Sequence, residues 1–184
     1  MLPIAPLMIE HRVIERMIRL MKDELRHIRS TDSPHLGFLE AAVDFIRTYV
    51  DQCHHGKEED ILFGNLQKKK PASQLTTVMN KLIEEHAQGR ETVKKLVEAK
   101  NRYLNGDLSA AKDMAVQIEF LIEFYPRHID KEDNHFFQPC MDYFTDDERG
   151  MMLKAFFVFD QRLIHRKYKD LVENFEKNGL NLQS

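Results

Sequence analysis

His128-Ile129-Asp130-Lys131-Glu132-Asp133-Asn134-His135-Phe136-Phe137 is the stretch that decides the fold, because the chain contains an earlier version of it. The earlier version is His54-His55-Gly56-Lys57-Glu58-Glu59-Asp60-Ile61-Leu62-Phe63. Both copies, called cassettes below, follow the pattern His-x-x-Lys-Glu-acid-polar-x-apolar-Phe. On a helix, the His and the Glu four residues later project from the same face, one turn apart. Two such pairs are what a site for two metal ions requires.

A wider repeat surrounds the two cassettes. The pair Glu10-His11 recurs as Glu85-His86 at almost the same offset as the cassettes. Each half of the chain therefore has one helix with a lone His, followed by one helix with His-x-x-x-Glu. Two tandem helix hairpins of this kind pack into an up-down bundle whose cofactor sites form from inward-facing side chains. We predict an all-α fold, an antiparallel four-helix bundle.

The apolar pattern gives approximate bounds for the helices. Spacings of three and four residues predict bundle helices over about 7–30, 34–66, 73–100 and 108–139. Thr145-Asp146-Asp147-Glu148 has the form of a capping box and predicts an additional fifth helix to about residue 178. The first helix has a second apolar side, which the fifth helix is expected to cover. This side consists of Ile9, Val13, Met17 and Leu20.

Size and composition limit the remaining possibilities. A chain of 184 residues with no break in composition predicts one domain over 1–184, with the bundle at about 7–140 and the covering helix at about 145–178. The net charge of −3 gives no footprint for nucleic acid, and no apolar run reaches the length of a membrane span. Two cysteines without a Cys-x-x-Cys motif argue against a thiolate site. Without a basic leader at the N-terminus, the expected location is the cytoplasm.

Buried imidazoles and carboxylates carry the prediction of a metal site. His11 and His86 lie within apolar stripes, and the cassettes add a His and a Glu each. Four imidazoles and two carboxylates at one level of a core are costly unless something neutralises them. We therefore predict that these residues bind metal. They are His11, His54, Glu58, His86, His128 and Glu132.

The first cassette offers two adjacent histidines, and helix faces distinguish them. His54 shares its side with Val50 and Leu62, whereas His55 aligns with Asp51 and Glu59. His54 with Glu58 is therefore the predicted inward pair. We expect His55 and Glu59 to contact the ligands or to lie in solvent.

The predicted donor set also limits the metal. Imidazole and carboxylate without thiolate favour iron or manganese, with zinc possible. Two six-coordinate ions offer about twelve positions, of which four His, two bridging Glu and a solvent-derived bridge fill about ten. The open positions are where O2, NO or peroxide would bind.

These motifs resemble the hemerythrin-like, or HHE cation-binding, domain family, a four-helix bundle around a non-haem di-iron centre. The resemblance covers about residues 7–140 and rests on Glu10-His11, His54-x-x-x-Glu58-Glu59, Glu85-His86 and His128-x-x-x-Glu132. It implies two iron ions with an oxo or hydroxo bridge. It also implies that the four His are terminal ligands and that the two Glu bridge the ions.

Helix three departs from the oxygen-carrying hemerythrins. They have His-x-x-x-His there, whereas this chain has His86-Ala87-Gln88-Gly89-Arg90, and a guanidinium offers no lone pair. The four-His, two-Glu set is more similar to the branch linked to repair of iron centres and nitrosative stress. Glu15 and Tyr125 lie near the faces of His11 and His128, where they would guard the open positions or contact a ligand imidazole.

Three functions remain open from the sequence. The first is a non-enzymatic di-iron protein that binds or senses O2, NO or peroxide, or handles iron. The second is a redox enzyme that reduces NO or peroxide or repairs iron centres, with an electron donor protein as partner. The third is a structural bundle with adventitious metal.

Overall fold

The computed structural model describes the backbone of residues 2–178 and the side chains of residues 2–163, and within this range every regular element is a helix. There are five helices in the described part of the chain, which confirms the predicted fold class. Helices α1, α3 and α5 span Ile4–Thr31, Ser73–Leu104 and Asp146–Asn178. Helix α2 is continuous over 36–68, as Leu36–Phe45, Ile46–His55, Glu58–Phe63 and Gly64–Lys68. Helix α4 is continuous over 110–141, as Ala110–Lys131, Glu132–Phe136 and Phe137–Met141.

Both cassette helices contain widened turns. Helix α2 is π-helical over Ile46–His55 and Glu58–Phe63, and α4 is π-helical over Glu132–Phe136. A π-turn bonds residue i to i+5, so each residue advances by a smaller angle than in an α-helix. One widened segment begins at the Glu of each cassette, and π-turns are common at functional sites.

Two apolar clusters stack along the bundle, with a polar layer between them. On α1, His11 lies between Leu7 of one cluster and Ile14 of the other. On α2 the order is reversed, because Val50 belongs to the second cluster and Leu62 to the first. Helices α3 and α4 repeat this alternation, as an up-down bundle requires. The fold therefore places the repeated His and Glu residues at one level of the core.

Short turns connect the bundle helices. Gly106 in the turn between α3 and α4 has φ +97°, a conformation that favours glycine because it lacks a Cβ. After α1, the backbone N–H of Asp32 donates to the carbonyl of Ile28 at 2.8 Å and closes the helix. Connections this short keep successive helices antiparallel neighbours.

Helix α5 begins at the predicted capping box. The N–H of Glu148 donates to the hydroxyl of Thr145, and the N–H of Thr145 donates back to the Glu148 carboxylate. The helix then packs on α2. A Cβ at Gly56 would lie 2.6 Å from Cζ of Phe159, so the absence of a side chain at position 56 makes room for that ring.

The prediction that α5 covers the second apolar side of α1 is wrong. Ile9 and Leu20 on that side are 63% and 52% exposed. The apolar periodicity showed that α1 has a second apolar side, but it does not determine which helix packs there. The small residue in the first cassette decides the position of α5, since the second cassette has Asp130 where the first has Gly56.

None of the helices in the described range combines the length and apolar character that crossing a membrane requires.

Candidate metal centre

The six residues predicted as ligands meet in the polar layer between the two apolar clusters. None of them has more than 2% of its surface exposed. Each of the four bundle helices contributes, and α2 and α4 contribute a His and a Glu each. The residues are His11, His54, Glu58, His86, His128 and Glu132.

One half of the layer is built around His11 and His54. Their Nε2 atoms are 2.9 Å apart, which is close to the separation of about 3 Å expected for neighbouring ligand atoms on one ion with bonds of about 2.1 Å. Nε2 of His11 lies 3.1 Å from Oε2 of Glu132, and Nε2 of His54 lies 3.6 Å from Oε1 of Glu58. Two imidazoles and two carboxylates therefore face one point.

The other half is built around His86 and His128. Nε2 of His86 lies 3.5 Å from Oε2 of Glu58 and 3.6 Å from Oε1 of Glu132. Nε2 of His128 lies 3.2 Å from the same Glu132 oxygen. Each carboxylate thus directs one oxygen to each half of the layer, which is the arrangement that a bridging carboxylate needs.

Many polar atoms at the centre of the layer have no hydrogen-bond partner. Both oxygens of Glu58 and Glu132 and the Nε2 atoms of His86 and His128 are buried without one. Leaving a buried polar group unsatisfied costs about 1–3 kcal/mol, and more for a charged one. Cations between these atoms would satisfy the whole set, so the donor chemistry fits metal ions bound by nitrogen and oxygen.

Each of the four histidines is held from outside by a carboxylate. His11 Nδ1 pairs with Asp133 at 2.7 Å and His86 Nδ1 with Glu59 at 2.7 Å. His54 Nδ1 pairs with Glu10, and His128 Nδ1 with Glu85, both at 2.9 Å. A hydrogen bond at Nδ1 fixes the tautomer, so that the Nε2 lone pair points into the layer.

Every one of these carboxylates is in turn bound by a cation. The four carboxylates and the two lysines follow the internal repeat, because the Glu-His pairs and the cassettes supply equivalent partners. The two arginines do not, since Arg12 follows its His by one residue and Arg90 by four. The cations are Arg12 on Asp133, Lys57 on Glu10, Arg90 on Glu59 and Lys131 on Glu85. Sequence reasoning named Glu59 and missed the other outer partners. The repeated Glu before each lone His, and the repeated Lys in each cassette, were the signal that could have identified two of the triads.

The electrostatics of the layer follow from burial and from the mixture of acids and bases. Burial and the neighbouring Glu132 raise the pKa of Glu58 well above its usual value. Burial also acts to raise the pKa of Glu132, but His128, His11 and His86 bring it well below the usual value. The pKa of His54 falls to about 4, chiefly through burial. In the metal-free layer, bound protons balance part of the negative charge. A bound dication would instead favour the deprotonated form of both Glu residues.

His55 lies inside the bundle. It is 3% exposed, because the π-turns of Ile46–His55 bring both His54 and His55 inside, and its ring contacts that of His86, which is one of the two placements expected of it. One ring nitrogen of His55 lies within 4.8 Å of a nitrogen of His86 and of His128. Proximity alone would add it to the second half of the layer.

Ring geometry argues against His55 as a ligand of that half. Its ring stacks on that of His86, with 3.8 Å between centroids and 14° between planes. An imidazole binds a metal along the nitrogen lone pair, which lies in the ring plane. An ion in the plane of His86 therefore lies well outside the plane of His55. In this arrangement His55 supports His86 and lines the space beside it.

The other three residues predicted near the ligands differ in how they contact the site. Glu59 binds His86 and Arg90, so it contacts a predicted ligand as expected. Glu15 makes an ion pair with Arg12 at 3.0 Å and does not reach the layer. Tyr125 is 2% exposed, and burial raises the pKa of its hydroxyl, which stays protonated.

A third group of potential ligands lies outside the layer. Glu10, Cys53 and Asp160 are close together, but the Lys57 ammonium lies among them and binds both Glu10 and Asp160. A buried ammonium already supplies the positive charge that the carboxylates need. This group is therefore an ion-pair network that joins α5 to α2.

The fold and the layer together define a helical-bundle protein with buried His and Glu candidates for cation binding. Comparison with protein families matches residues 2–140 to the hemerythrin HHE cation binding domain. The chain belongs to this family. Uncharacterized proteins of Mycobacterium bovis and Mycobacterium tuberculosis are 24% identical over 150 residues, which are 82% of this chain and 58% of theirs. The chain thus spans less than two thirds of these relatives, and no solved structure matches it.

Proposed function

We propose that this protein holds two iron ions in the polar layer and binds or reacts with a small ligand such as O2, NO or peroxide. His11 and His54 would bind one ion, His86 and His128 the other, and Glu58 and Glu132 would bridge them. Manganese or zinc could occupy the same donors. We further propose a role as a binder or sensor, or in the handling of iron and nitrosative stress.

One observation carries the proposal. The Nε2 atoms of His11 and His54 are 2.9 Å apart, while the Nδ1 atoms of both rings are committed to carboxylates. Two lone pairs that face each other at this distance repel unless a proton or a cation lies between them. The orphaned oxygens of Glu58 and Glu132 beside them supply the charge that a dication requires.

The chain's own residues determine how the ions would be used. Iron supplies redox chemistry and an open position for a small molecule. The triads hold the imidazoles in one orientation and increase their basicity, while the apolar clusters exclude bulk water from the layer. The four imidazole ligands are neutral, and the two carboxylates carry only two negative charges. The metal-loaded layer would therefore keep a net positive charge and favour anionic ligands.

A redox enzyme is the second candidate. Arg90 stands where a fifth His would be, and it is bound to Asp51 at 2.6 Å and to Glu59 at 2.7 Å. The ring of His55 is stacked on His86 and is not oriented to replace the missing ligand. A centre with fewer imidazole ligands leaves more positions for a reacting molecule, which supports turnover with an electron donor.

Metal analysis tests the proposal. Purified protein, reconstituted anaerobically with Fe(II), is expected to hold two ions per chain. The His54→Ala and His128→Ala double variant is expected to lose most of this metal, whereas His135→Ala is the matched control because this side chain is exposed. If the wild type holds far fewer than two ions and the double variant is unchanged in content and stability, the metal is adventitious.

Addition of O2 or NO to the reconstituted protein separates the two candidates. A spectrum that forms and reverses on removal of the gas supports a binder or sensor. Multiple turnovers with an added electron donor support an enzyme.

A further inference from the structure

We propose that an internal cavity between α2 and α3 is the path by which a small anionic ligand reaches the half of the layer formed by His86 and His128, and that Tyr125 donates a hydrogen bond to it there. This inference rests on the proposed function and specifies the route and the recognition of its ligand. The cavity, called the access cavity below, has a volume of about 230 Å³. Its lining includes Asp51, His55, His86, Gly89, Arg90 and Tyr125.

The wall of the access cavity connects the surface with the layer. His86, a proposed ligand, forms part of the wall, and the neighbouring ring of His55 lies against it. At the outer side are Arg47 and Arg90, which are exposed on α2 and α3. A small molecule that enters beside the arginines therefore arrives next to the proposed metal ligand.

The inner wall offers a donor without a competing partner. The Tyr125 hydroxyl makes no hydrogen bond to another described residue, and Tyr125 lines the cavity although only 2% of its surface is exposed. Such a hydroxyl gains a partner only from a molecule inside the cavity. Tyr125 lies one helical turn before His128 on α4 and lines the same cavity as His86 of the second half of the layer.

Glycine at position 89 keeps the access cavity open. A Cβ at Gly89 would lie 3.7 Å from Phe124 and 3.9 Å from the Tyr125 hydroxyl, which is ordinary contact. An alanine therefore fits at this position without strain, whereas a larger side chain projects into the space beside Tyr125. The position allows a graded test of access.

Charge at the mouth selects the ligand. Arg90 is held by Asp51 and Glu59, and this fixed ion pair narrows the opening without closing it. Asp51 and Glu59 balance the charge of Arg90, so the groups that favour a small anion over a cation are Arg47 at the mouth and the hydroxyl and imidazole groups inside.

A second cavity reaches the same half of the layer from the other side. It has a volume of about 250 Å³ and is lined by Glu85, Phe120 and His128 among others. Glu85 is bound to Nδ1 of His128, so this cavity faces the outer side of the imidazole, and its wall also carries Glu123 and Arg127. It provides the matched control for the access cavity.

Azide binding to the iron-loaded protein tests the inference. Azide is a small anion, and a titration followed by absorbance gives its Kd. Tyr125→Phe is expected to weaken azide binding about tenfold, the effect of one hydrogen bond to a charged group. Gly89→Leu is expected to abolish binding, Gly89→Ala to retain it, and Phe120→Ala, in the second cavity, to leave the Kd unchanged.

Metal content, measured on the same samples, separates the two levels of the proposal. If the wild type does not hold two ions, the proposed function fails. If Tyr125→Phe holds two ions and binds azide with the wild-type Kd, or if Phe120→Ala alone weakens binding, the access cavity is not the route. Should Gly89→Leu fail to fold, Tyr125→Phe still decides the question, because it changes only one hydroxyl.

Discussion

Glu10 on α1 accepts a hydrogen bond from Nδ1 of His54 on α2 at 2.9 Å. The equivalent contact in the second half of the chain, from His128 to Glu85, has the same length. The internal repeat therefore preserves the partners that orient the proposed ligands as well as the ligands themselves.

These two carboxylates are expected to control metal affinity. Glu10→Gln and Glu85→Gln keep the size of the side chain but remove the negative charge that makes the imidazole a stronger donor. Each substitution should weaken metal binding about 10–100-fold. Competition with a chelator measures the effect. Glu15→Gln is the control, because Glu15 pairs with Arg12 and not with a proposed ligand; an equal effect of Glu15→Gln would contradict the role assigned to Glu10.

Lys57 and Lys131 occupy equivalent positions in the two cassettes but differ in burial. The side chain of Lys57 is 0% exposed between Glu10 and Asp160, whereas that of Lys131 is 30% exposed. Removal of one partner from a buried ion pair costs about 3–5 kcal/mol, whereas a surface pair contributes about 0–1 kcal/mol, and the partly exposed pair of Lys131 and Glu85 lies between these limits.

Lys57→Met is therefore expected to destabilise the metal-free protein much more than Lys131→Met. Urea denaturation, followed by circular dichroism, measures the difference in the free energy of unfolding. Similar losses for the two variants would show that α5 does not isolate Lys57 from water.

Stability of the metal-free protein should depend on pH through His128. Burial opposes protonation of this ring, but Glu132 and Glu85 raise its pKa to about 9 from 6.5. A raised pKa means that the folded state binds the proton more tightly than the unfolded state. The resulting stability is complete below pH 6.5 and is lost as the pH rises to about 9.

The urea midpoint of the metal-free protein is thus expected to fall over this pH range. His128→Asn should reduce the slope, and His135→Asn, an exposed control, should not. Metal binding should show the opposite trend, because ions and protons compete for the same nitrogens. A midpoint that does not change between pH 6.5 and 9 would contradict the electrostatic description of the layer.

The two cysteines are expected to resist alkylation in the folded protein. Burial raises the pKa of Cys140 to about 12, and burial together with Asp160 raises that of Cys53 to about 12. Since the thiolate is the reactive form, both should react with iodoacetamide at pH 8 far more slowly than free cysteine. Mass spectrometry in the presence and absence of urea measures the rates. Rapid modification of Cys53 without urea would show that α5 does not protect it.

Much of the fold followed from the sequence because periodicity and repetition describe local structure. The apolar stripes located the five helices, and the repeated Glu-His pairs and cassettes located the six residues that meet in the layer. The sequence left His55 between contact with a ligand and exposure to solvent, because a period of 3.6 residues does not hold where α2 widens. Nothing in a single sequence shows that widening.

The outer partners and the position of α5 depend on contacts between distant residues. The sequence identified Arg90 as the residue at the position of a missing His ligand, and only the structure shows that it holds Glu59 against His86. Lys57 could be seen in the cassette, but its isolation depends on Asp160, which lies on another helix. Sequence patterns can therefore identify candidate residues of the site, but their partners depend on tertiary packing.

Gly56 makes the two halves of the site unequal. An internal repeat by itself would give two half-sites with the same surroundings. Because Phe159 lies on Gly56, α5 seals the groove beside His54, while the equivalent groove beside His128 stays open to solvent at Lys131. Because position 56 has no side chain, α5 covers one of two near-symmetrical half-sites, while the other keeps a partly exposed lysine beside it.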